Sequence, residues 1–171
     1  EAARALGQRG YTVMLAEATR ELGGRVSAES KLPGLSEWAR VRDYRVGQLD
    51  KLHNVEIYRE SELGLDDILA VGVDHVAIAT GASWRRDGYG NYHQCPMDPL
   101  PPEDKTFTPD DLFSGRLPSG TTVVFDDDGF YLAGAIADKL VKNGNEVIYV
   151  TPHALVSNWS DNSGDQPRVH K

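Results

Sequence analysis

The sequence predicts an α/β fold in which parallel β-strands are joined by helical crossovers into βαβ units. Short apolar runs typical of buried strands alternate with segments of helical periodicity along the 171 residues. In two places, at Gly10 and at Gly144, a glycine separates a helical segment from a strand-like run. Glycine commonly ends a helix, so both places predict a helix followed by a strand. We therefore predict two Rossmann-like βαβ units in tandem.

The first unit is predicted to begin within a helix. Residues 1–9 are rich in alanine, and Ala2, Ala3 and Leu6 can share one helical face. Residues 11–16 are apolar at nearly every position, as expected for a strand that is covered on both faces. Because a βαβ unit starts with a strand, we expect the first strand of this sheet and its glycine loop to lie outside the sequence.

A loop, a helix and a short strand are predicted next. Residues 22–34 are punctuated by glycine and proline, which indicates a loop. Ser36 is a suitable N-cap for a helix over residues 37–52, and Arg42 is expected on the outward side of that helix. Val55–Tyr58 has the composition of a short strand.

Further strands are predicted on both sides of a stretch rich in glycine, proline and polar residues. Asp74–Thr80, DHVAIAT, is a stronger strand candidate than Val55–Tyr58 and is followed by a glycine. Residues 121–125 and 146–150 predict two more strands, with a helix over residues 130–143 between them. This strand–helix–strand order predicts the second βαβ unit.

The predicted domain boundaries follow from this order. We predict a first Rossmann-like domain over residues 1–100, a linker over residues 101–120, and the beginning of a second, similar domain over residues 121–171. The linker is predicted to contain one short helix, Pro109–Phe113, because Thr108 can cap it and proline suits the first helical position.

Composition excludes several classes of function. The net charge of −8 argues against nucleic acid and anionic membrane surfaces as partners. No apolar run approaches the roughly 20 residues that span a bilayer. The single cysteine, Cys95, excludes an internal disulfide and a four-cysteine metal cluster, and it fits a reducing, cytoplasmic location. We predict no metal ligands, because the five histidines lack the spacing of a metal site.

The best candidate ligand residue is Glu17, at the end of the predicted strand YTVMLAE. In a dinucleotide-binding βαβ unit, an acidic side chain at this position accepts hydrogen bonds from the adenosine ribose hydroxyls. Its alternative role is that of a solvated residue at a strand end. The order of Gly10, strand, Glu17 and paired glycines favours the ribose ligand.

Two glycine-containing motifs are further candidates. Gly23 and Gly24 would let the backbone approach a phosphate closely, and Arg25 would add positive charge. Thr80 and Gly81 end the predicted strand DHVAIAT at the edge where open α/β sheets bind their ligands. Each motif alone is also compatible with an ordinary tight turn.

The second unit has a broken dinucleotide fingerprint. A strand followed by G-x-G-x-x-G is expected, but Asp128, Phe130 and Ala133 occupy the glycine positions. Phe130 would block the backbone approach, and the adjacent aspartates 126–128 would repel a pyrophosphate. We therefore predict that this unit binds neither NAD(H) nor NADP(H).

Several longer motifs resemble one protein family. EWARVRDYR, ATGASWRRDG and the segment running from VVFDDD to YLAG are similar to the C-terminal half of the trimethylamine, dimethylamine and histamine dehydrogenases. The resemblance covers nearly the whole chain. By motif match, it assigns Glu17, the Gly23–Arg25 motif, Thr80 and Gly81 to an adenine-nucleotide site. At Gly129 the family leads us to expect a histidine or another bulky residue.

The resemblance implies a larger enzyme. Its members have an N-terminal barrel with covalent FMN, a 4Fe–4S cluster, and two domains of the glutathione-reductase type that bind ADP in place of FAD. The parent would oxidise an amine and pass electrons to an electron-transferring flavoprotein, as a homodimer. The barrel, the FMN attachment site and the cluster cysteines are expected outside this sequence. We therefore predict no catalytic residue here and no dehydrogenase activity for the chain alone.

Two alternatives remain open at the level of sequence. The parent could instead be a reductase of the dienoyl-CoA reductase type, which binds FAD and a reduced nicotinamide. The chain could also be a non-catalytic module that binds an adenine nucleotide for structure only. The aspartate-rich second fingerprint favours the amine dehydrogenase over the reductase.

Overall fold

Both predicted units contain a sheet of two parallel strands. The structure is a computed structural model that describes residues 1–169. The chain divides into a first unit, Glu1–Lys31 with Ser36–Gly81, and a second unit, Leu32–Leu35 with the residues from Ala82 onward. This division falls after Gly81, whereas the sequence predicts a domain boundary after residue 100. The predicted end of the second domain, residues 170–171, lies outside the described residues.

In the first unit, helix α1 (Ala2–Gln8) leads into strand β1 (Val13–Ala16), which pairs in parallel with strand β2 (Val55–Tyr58). The register places Val13 beside Val55 and Ala16 beside Tyr58. Helix α1 packs closely on β2 through Gly7, where an added Cβ would lie 2.5 Å from Val55 Cγ2. These elements confirm the predicted helix, both predicted strands and their parallel pairing.

The crossover between β1 and β2 is more helical than predicted. Helix α2 (Arg25–Glu29) lies within the segment predicted as a loop. Ser36 does not cap the next helix, because Ser36–Trp38 is a turn of 3₁₀-helix and Trp38 is the capping residue of helix α3 (Ala39–Leu49). Helix α4 (Leu65–Val71), which follows β2, was not predicted.

The predicted strand Asp74–Thr80 is wrong: these residues form neither a helix nor a strand. Val76 and Ile78, two of its strand-like residues, are 53% and 79% exposed. A strand exists only through hydrogen bonds to a neighbouring strand. Within residues 1–169, β1 pairs only with β2, and no strand is hydrogen-bonded to this segment.

The second unit agrees with its prediction over residues 109–150. It differs in the tail, where Pro167 predicts a break but residues 166–169 are helical, because proline is tolerated in the first turn of a helix. It contains helix α5 (Pro109–Phe113), strand β3 (Thr121–Phe125), helix α6 (Tyr131–Lys142), strand β4 (Glu146–Val150) and helix α7 (Gln166–Val169). Strands β3 and β4 are parallel, with Thr121 beside Glu146 and Phe125 beside Val150. The predicted bounds of both strands are confirmed.

The core of the second unit includes residues from the predicted linker. Its buried members are Leu32, Leu112, Val124, Ile136 and Leu140. Leu140, on α6, is 2% exposed, and Leu112, on α5, is 6% exposed. Thr108 is the N-cap residue of α5, as predicted, and its N–H donates to Asp111 Oδ2 at 2.7 Å. Residues 101–120 therefore do more than connect two domains, because they contribute apolar packing to the second unit.

Candidate functional site

Glu17 lies directly after β1, and both its backbone N–H and its C=O are hydrogen-bonded. Its N–H donates to Tyr58 O at 2.8 Å, and its C=O accepts from the N–H of Ser61 at 2.9 Å. One carboxylate oxygen, Oε1, accepts from the backbone N–H and the hydroxyl of Thr19, both at 2.9 Å. Within residues 1–169, no hydrogen bond to the other oxygen, Oε2, is found. The half-buried carboxylate thus keeps one acceptor at the carboxyl end of β1.

The paired glycines have backbone conformations that other residues rarely adopt. The φ angles are +118° at Gly23 and +49° at Gly24. An added Cβ at Gly23 would lie 2.5 Å from Ser27 Oγ and 2.8 Å from Arg42 Cδ. An added Cβ at Gly24 would have no atom within 4 Å. Gly23 is therefore required by packing as well as by conformation, whereas Gly24 leaves open space beside the backbone.

The remaining predicted residues also lie in the first unit. Arg25 is the first residue of α2 and is exposed. Thr80 and Gly81 end the segment that follows α4, both are exposed, and Gly81 has φ of +80°. All six predicted residues thus belong to one unit, and their convergence on one ligand stays a prediction.

Arg42 is a residue that the sequence analysis missed. It was expected on the outward side of α3, but its side chain is only 24% exposed and packs over Gly23. Its Nη1 donates to Ser27 Oγ at 3.2 Å, and that hydroxyl donates to Leu22 O at 3.2 Å. The side chain of Arg42 therefore packs directly against Gly23, the first residue of the glycine pair. The contact joins residues far apart in sequence, so no local pattern signals it.

In the second unit, the turn after β3 is closed by its own aspartates. Asp126 is 2% exposed, and its Oδ1 accepts from the N–H groups of Asp128 at 3.1 Å and Gly129 at 2.9 Å. Its Oδ2 accepts from the hydroxyl of Tyr149 at 2.6 Å. Burial, followed by the hydrogen bond to Asp126, raises the pKa of Tyr149 well above its usual range.

The next aspartate fastens another loop to this turn. Asp127 accepts from the N–H groups of Tyr92 at 2.6 Å and His93 at 2.8 Å. Gly90 lies so close to Asp127 that an added Cβ would overlap the carboxylate. The loop of residues 90–93 therefore lies directly against the turn.

Aromatic rings cover the rest of the turn. An added Cβ at Gly129 would lie 2.8 Å from the ring of His153. Phe130 stacks on Trp159 with ring centroids 6.5 Å apart, and the backbone N–H of Trp159 donates to Gly129 O at 2.9 Å. Burial, and then the charges of the two preceding aspartates, raise the pKa of Asp128, while His153 opposes the shift.

Known proteins with this fold include a histamine dehydrogenase from Rhizobium sp. 4-9. Its structure covers 99% of the chain with a TM-score of 0.92 and 47% sequence identity. The curated dimethylamine dehydrogenase of Hyphomicrobium sp. (strain x) is 36% identical in an alignment that covers 88% of the chain. The chain belongs to the dimethylamine and histamine dehydrogenase family. No protein-family model matches it.

The family relationship covers only part of these dehydrogenases. The chain spans 22% of the dimethylamine dehydrogenase and 26% of the histamine dehydrogenase chain. An amine oxidase for 6-hydroxypseudooxynicotine from Pseudomonas geniculata N1 is 44% identical, with a TM-score of 0.92 over 99% of the chain. A 2-naphthoyl-CoA reductase has the lower identity of 25% and a TM-score of 0.73 over 98% of the chain.

Two absences complete the description of this family member. Among residues 1–169, no three histidine, cysteine, aspartate or glutamate side chains are grouped so that they could hold a metal ion. Over the same residues, no helix has the length and apolar character needed to cross a membrane.

Proposed function

We propose that the chain is the adenine-nucleotide-binding part of a flavin-dependent amine dehydrogenase. The parent enzyme oxidises an amine by N-demethylation or deamination and passes electrons to an electron-transferring flavoprotein. Sequence identities of 36% to 47% to amine dehydrogenases support this assignment. The 4Fe–4S cluster belongs to another part of the homodimeric parent, since the single Cys95 here cannot supply four cluster thiolates. FMN belongs to the N-terminal barrel that the family resemblance implies.

The first unit binds ADP or FAD in a Rossmann-like domain of the glutathione-reductase type. One observation carries this proposal: Glu17 offers a carboxylate oxygen at the end of β1, close in sequence to a glycine pair at positive φ. A carboxylate suits ribose hydroxyls, and bare glycine backbone suits a diphosphate. Arg25, Thr80 and Gly81 complete the proposed site. The second unit takes no nicotinamide cofactor.

The experiment is to identify the nucleotide carried by the complete protein. We expect heat denaturation to release an adenine nucleotide, which chromatography identifies as ADP or FAD. Glu17→Gln should weaken its binding about tenfold or more, because hydrogen bonds to a charged group contribute about 1.5–3 kcal/mol. Glu62→Gln, at an exposed glutamate of the same unit, is the control. Absence of any adenine nucleotide would contradict the proposal.

Arg42→Ala tests whether the packing of Arg42 against Gly23 contributes to nucleotide binding. We expect it to weaken binding of the same nucleotide several-fold to about tenfold, because Gly23 loses its contact with the Arg42 side chain and Ser27 loses the hydrogen bond from Arg42. Arg40→Ala is the matched control, since Arg40 lies on the same helix with its side chain 82% exposed. Titration calorimetry on nucleotide-free protein measures both. Equal nucleotide affinities of the two variants would show that Arg42 does not contribute to the site.

A second candidate function is supported by the similarity to 2-naphthoyl-CoA reductase. In that case the complete protein should release FAD and oxidise NADH or NADPH. An amine dehydrogenase should instead reduce an artificial electron acceptor when dimethylamine or histamine is added. An adenine nucleotide without either activity would favour the third reading, a module that binds the nucleotide for structure.

A further inference from the structure

We propose that the carboxylate of Asp126 is a built-in anion that takes, in the second unit, the place of a ligand phosphate. In a nucleotide-binding βαβ unit, the turn between the first strand and the helix presents backbone N–H groups to a phosphate. Here the corresponding turn joins β3 to α6. Its N–H groups already have an anionic partner, which the chain itself supplies.

The hydrogen bonds of the turn carry this inference. The N–H groups of Asp128 and Gly129 both donate to Asp126 Oδ1. Two successive N–H groups that converge on one oxygen form the concave arrangement that binds anions in phosphate sites. Gly129, with φ of +69°, turns its N–H toward that oxygen without the strain of a side chain.

The second carboxylate oxygen separates this arrangement from an ordinary aspartate turn. An aspartate turn needs one oxygen only, yet Asp126 Oδ2 accepts from Tyr149 on the neighbouring strand β4. The N–H of Asp126 donates to Val150 O at 2.8 Å and continues the β3–β4 ladder by one residue. The carboxylate is therefore buried and held from the turn and from the adjacent strand at once.

The groups around the turn oppose the replacement of the Asp126 carboxylate by a phosphate. Asp127 holds residues 90–93 against the turn, and Trp159 bonds to Gly129 O on another side. A phosphate would have to displace a buried carboxylate that already has three donors, and like charges would oppose its approach. The turn is thus complete without a ligand, whatever the first unit binds.

Local hydrogen exchange in the complete protein tests the proposal. The readout is the amide exchange of a peptide covering residues 126–133, measured by mass spectrometry. We expect Asp126→Ala to speed exchange at this turn by about tenfold, because its N–H groups lose their acceptor. Added formate, the size of the missing carboxylate, should restore slow exchange. Formamide, which is similar in size but uncharged, should not.

Asp138→Ala is the matched control, since Asp138 lies on α6, outside the turn, and forms an exposed ion pair with Lys142. Unchanged exchange in Asp126→Ala, or equal rescue by formate and formamide, would overturn the proposal. If Asp126→Ala fails to fold, Asp126→Asn carries the test: exchange as slow as in the wild type would overturn it. Protection of the wild-type turn by NADH or inorganic pyrophosphate would overturn it as well. None of these outcomes depends on ADP or FAD in the first unit.

Discussion

Replacement of Asp111 by alanine is expected to lower the free energy of unfolding of the second unit by about 2–3 kcal/mol. Asp111 is 8% exposed and accepts two hydrogen bonds from Arg86, at 2.7 Å each. It also accepts from the N–H of Thr108 at 2.7 Å and from Arg116 at 3.2 Å. Both arginine side chains are more than a third exposed, so water screens part of the loss and the value lies below that of a fully buried ion pair.

Chemical denaturation near neutral pH measures this loss, with Asp104→Ala as the control at an exposed aspartate nearby. The effect should depend on pH, because the hydrogen bond from Arg86 holds the pKa of Asp111 well below its ordinary value of 3.8. The folded protein therefore binds fewer protons here than the unfolded chain does. The contribution is complete above the unfolded pKa and is lost as the pH falls below it. A difference between wild type and variant that persists unchanged in acid would contradict this account.

Gly129→Ala is expected to cost about 3 kcal/mol. Roughly 1 kcal/mol comes from placing a side chain at φ of +69°. A further 1–3 kcal/mol comes from overlap, because the new Cβ would lie 2.8 Å from the His153 ring and 3.0 Å from Trp159 Cδ1. Thermal or chemical denaturation of the complete protein measures the sum.

Gly120→Ala separates the two contributions to this cost. Gly120 has φ of +73°, but an added Cβ there would have no atom within 4 Å, so only the backbone cost of roughly 1 kcal/mol applies. In the Gly129→Ala background, His153→Ala should recover part of the loss by removing the overlapping ring. Equal destabilisation by the two glycine variants would show that the packing at Gly129 does not matter.

The packing around Gly129 explains why a glycine stands at this position, in departure from the family pattern. The resemblance leads to the expectation of a histidine or another bulky residue at this position. The ring of His153 lies 2.8 Å from the position that the Cβ of such a side chain would take, which is too close for the two to coexist. A small residue in the turn and a ring from the segment after β4 thus fill the space together.

Elements with local signals were predictable. Helix α5 was recognised from Thr108 and Pro109, because a cap and a first-turn proline act within a few residues. The strands β3 and β4 were recognised from uninterrupted apolar runs bounded by turn residues. Helix α4 was missed although it had a local signal, since Asp67 bonds to the N–H of Gly64 at its start.

Other features have no local cause. The run DHVAIAT has the composition of a strand, but a strand forms only beside a partner, and no strand is hydrogen-bonded to it within residues 1–169. Helix α2 is braced by Arg42 from another helix, and five residues alone are too short to be stable. Contacts between residues that are far apart in the sequence produce no pattern among neighbouring residues.

The sequence by itself determined the α/β class, the parallel strand–helix–strand order, the family and the loss of the second fingerprint. These properties follow from hydrophobic periodicity and from residue types at fixed spacing. Only the tertiary structure decided that Arg42 packs against Gly23 and that Asp126 faces inward to bind its own turn. The direction of a charged side chain depends on the donors that folding brings to it, and for Asp126 the hydroxyl of Tyr149 comes from another strand.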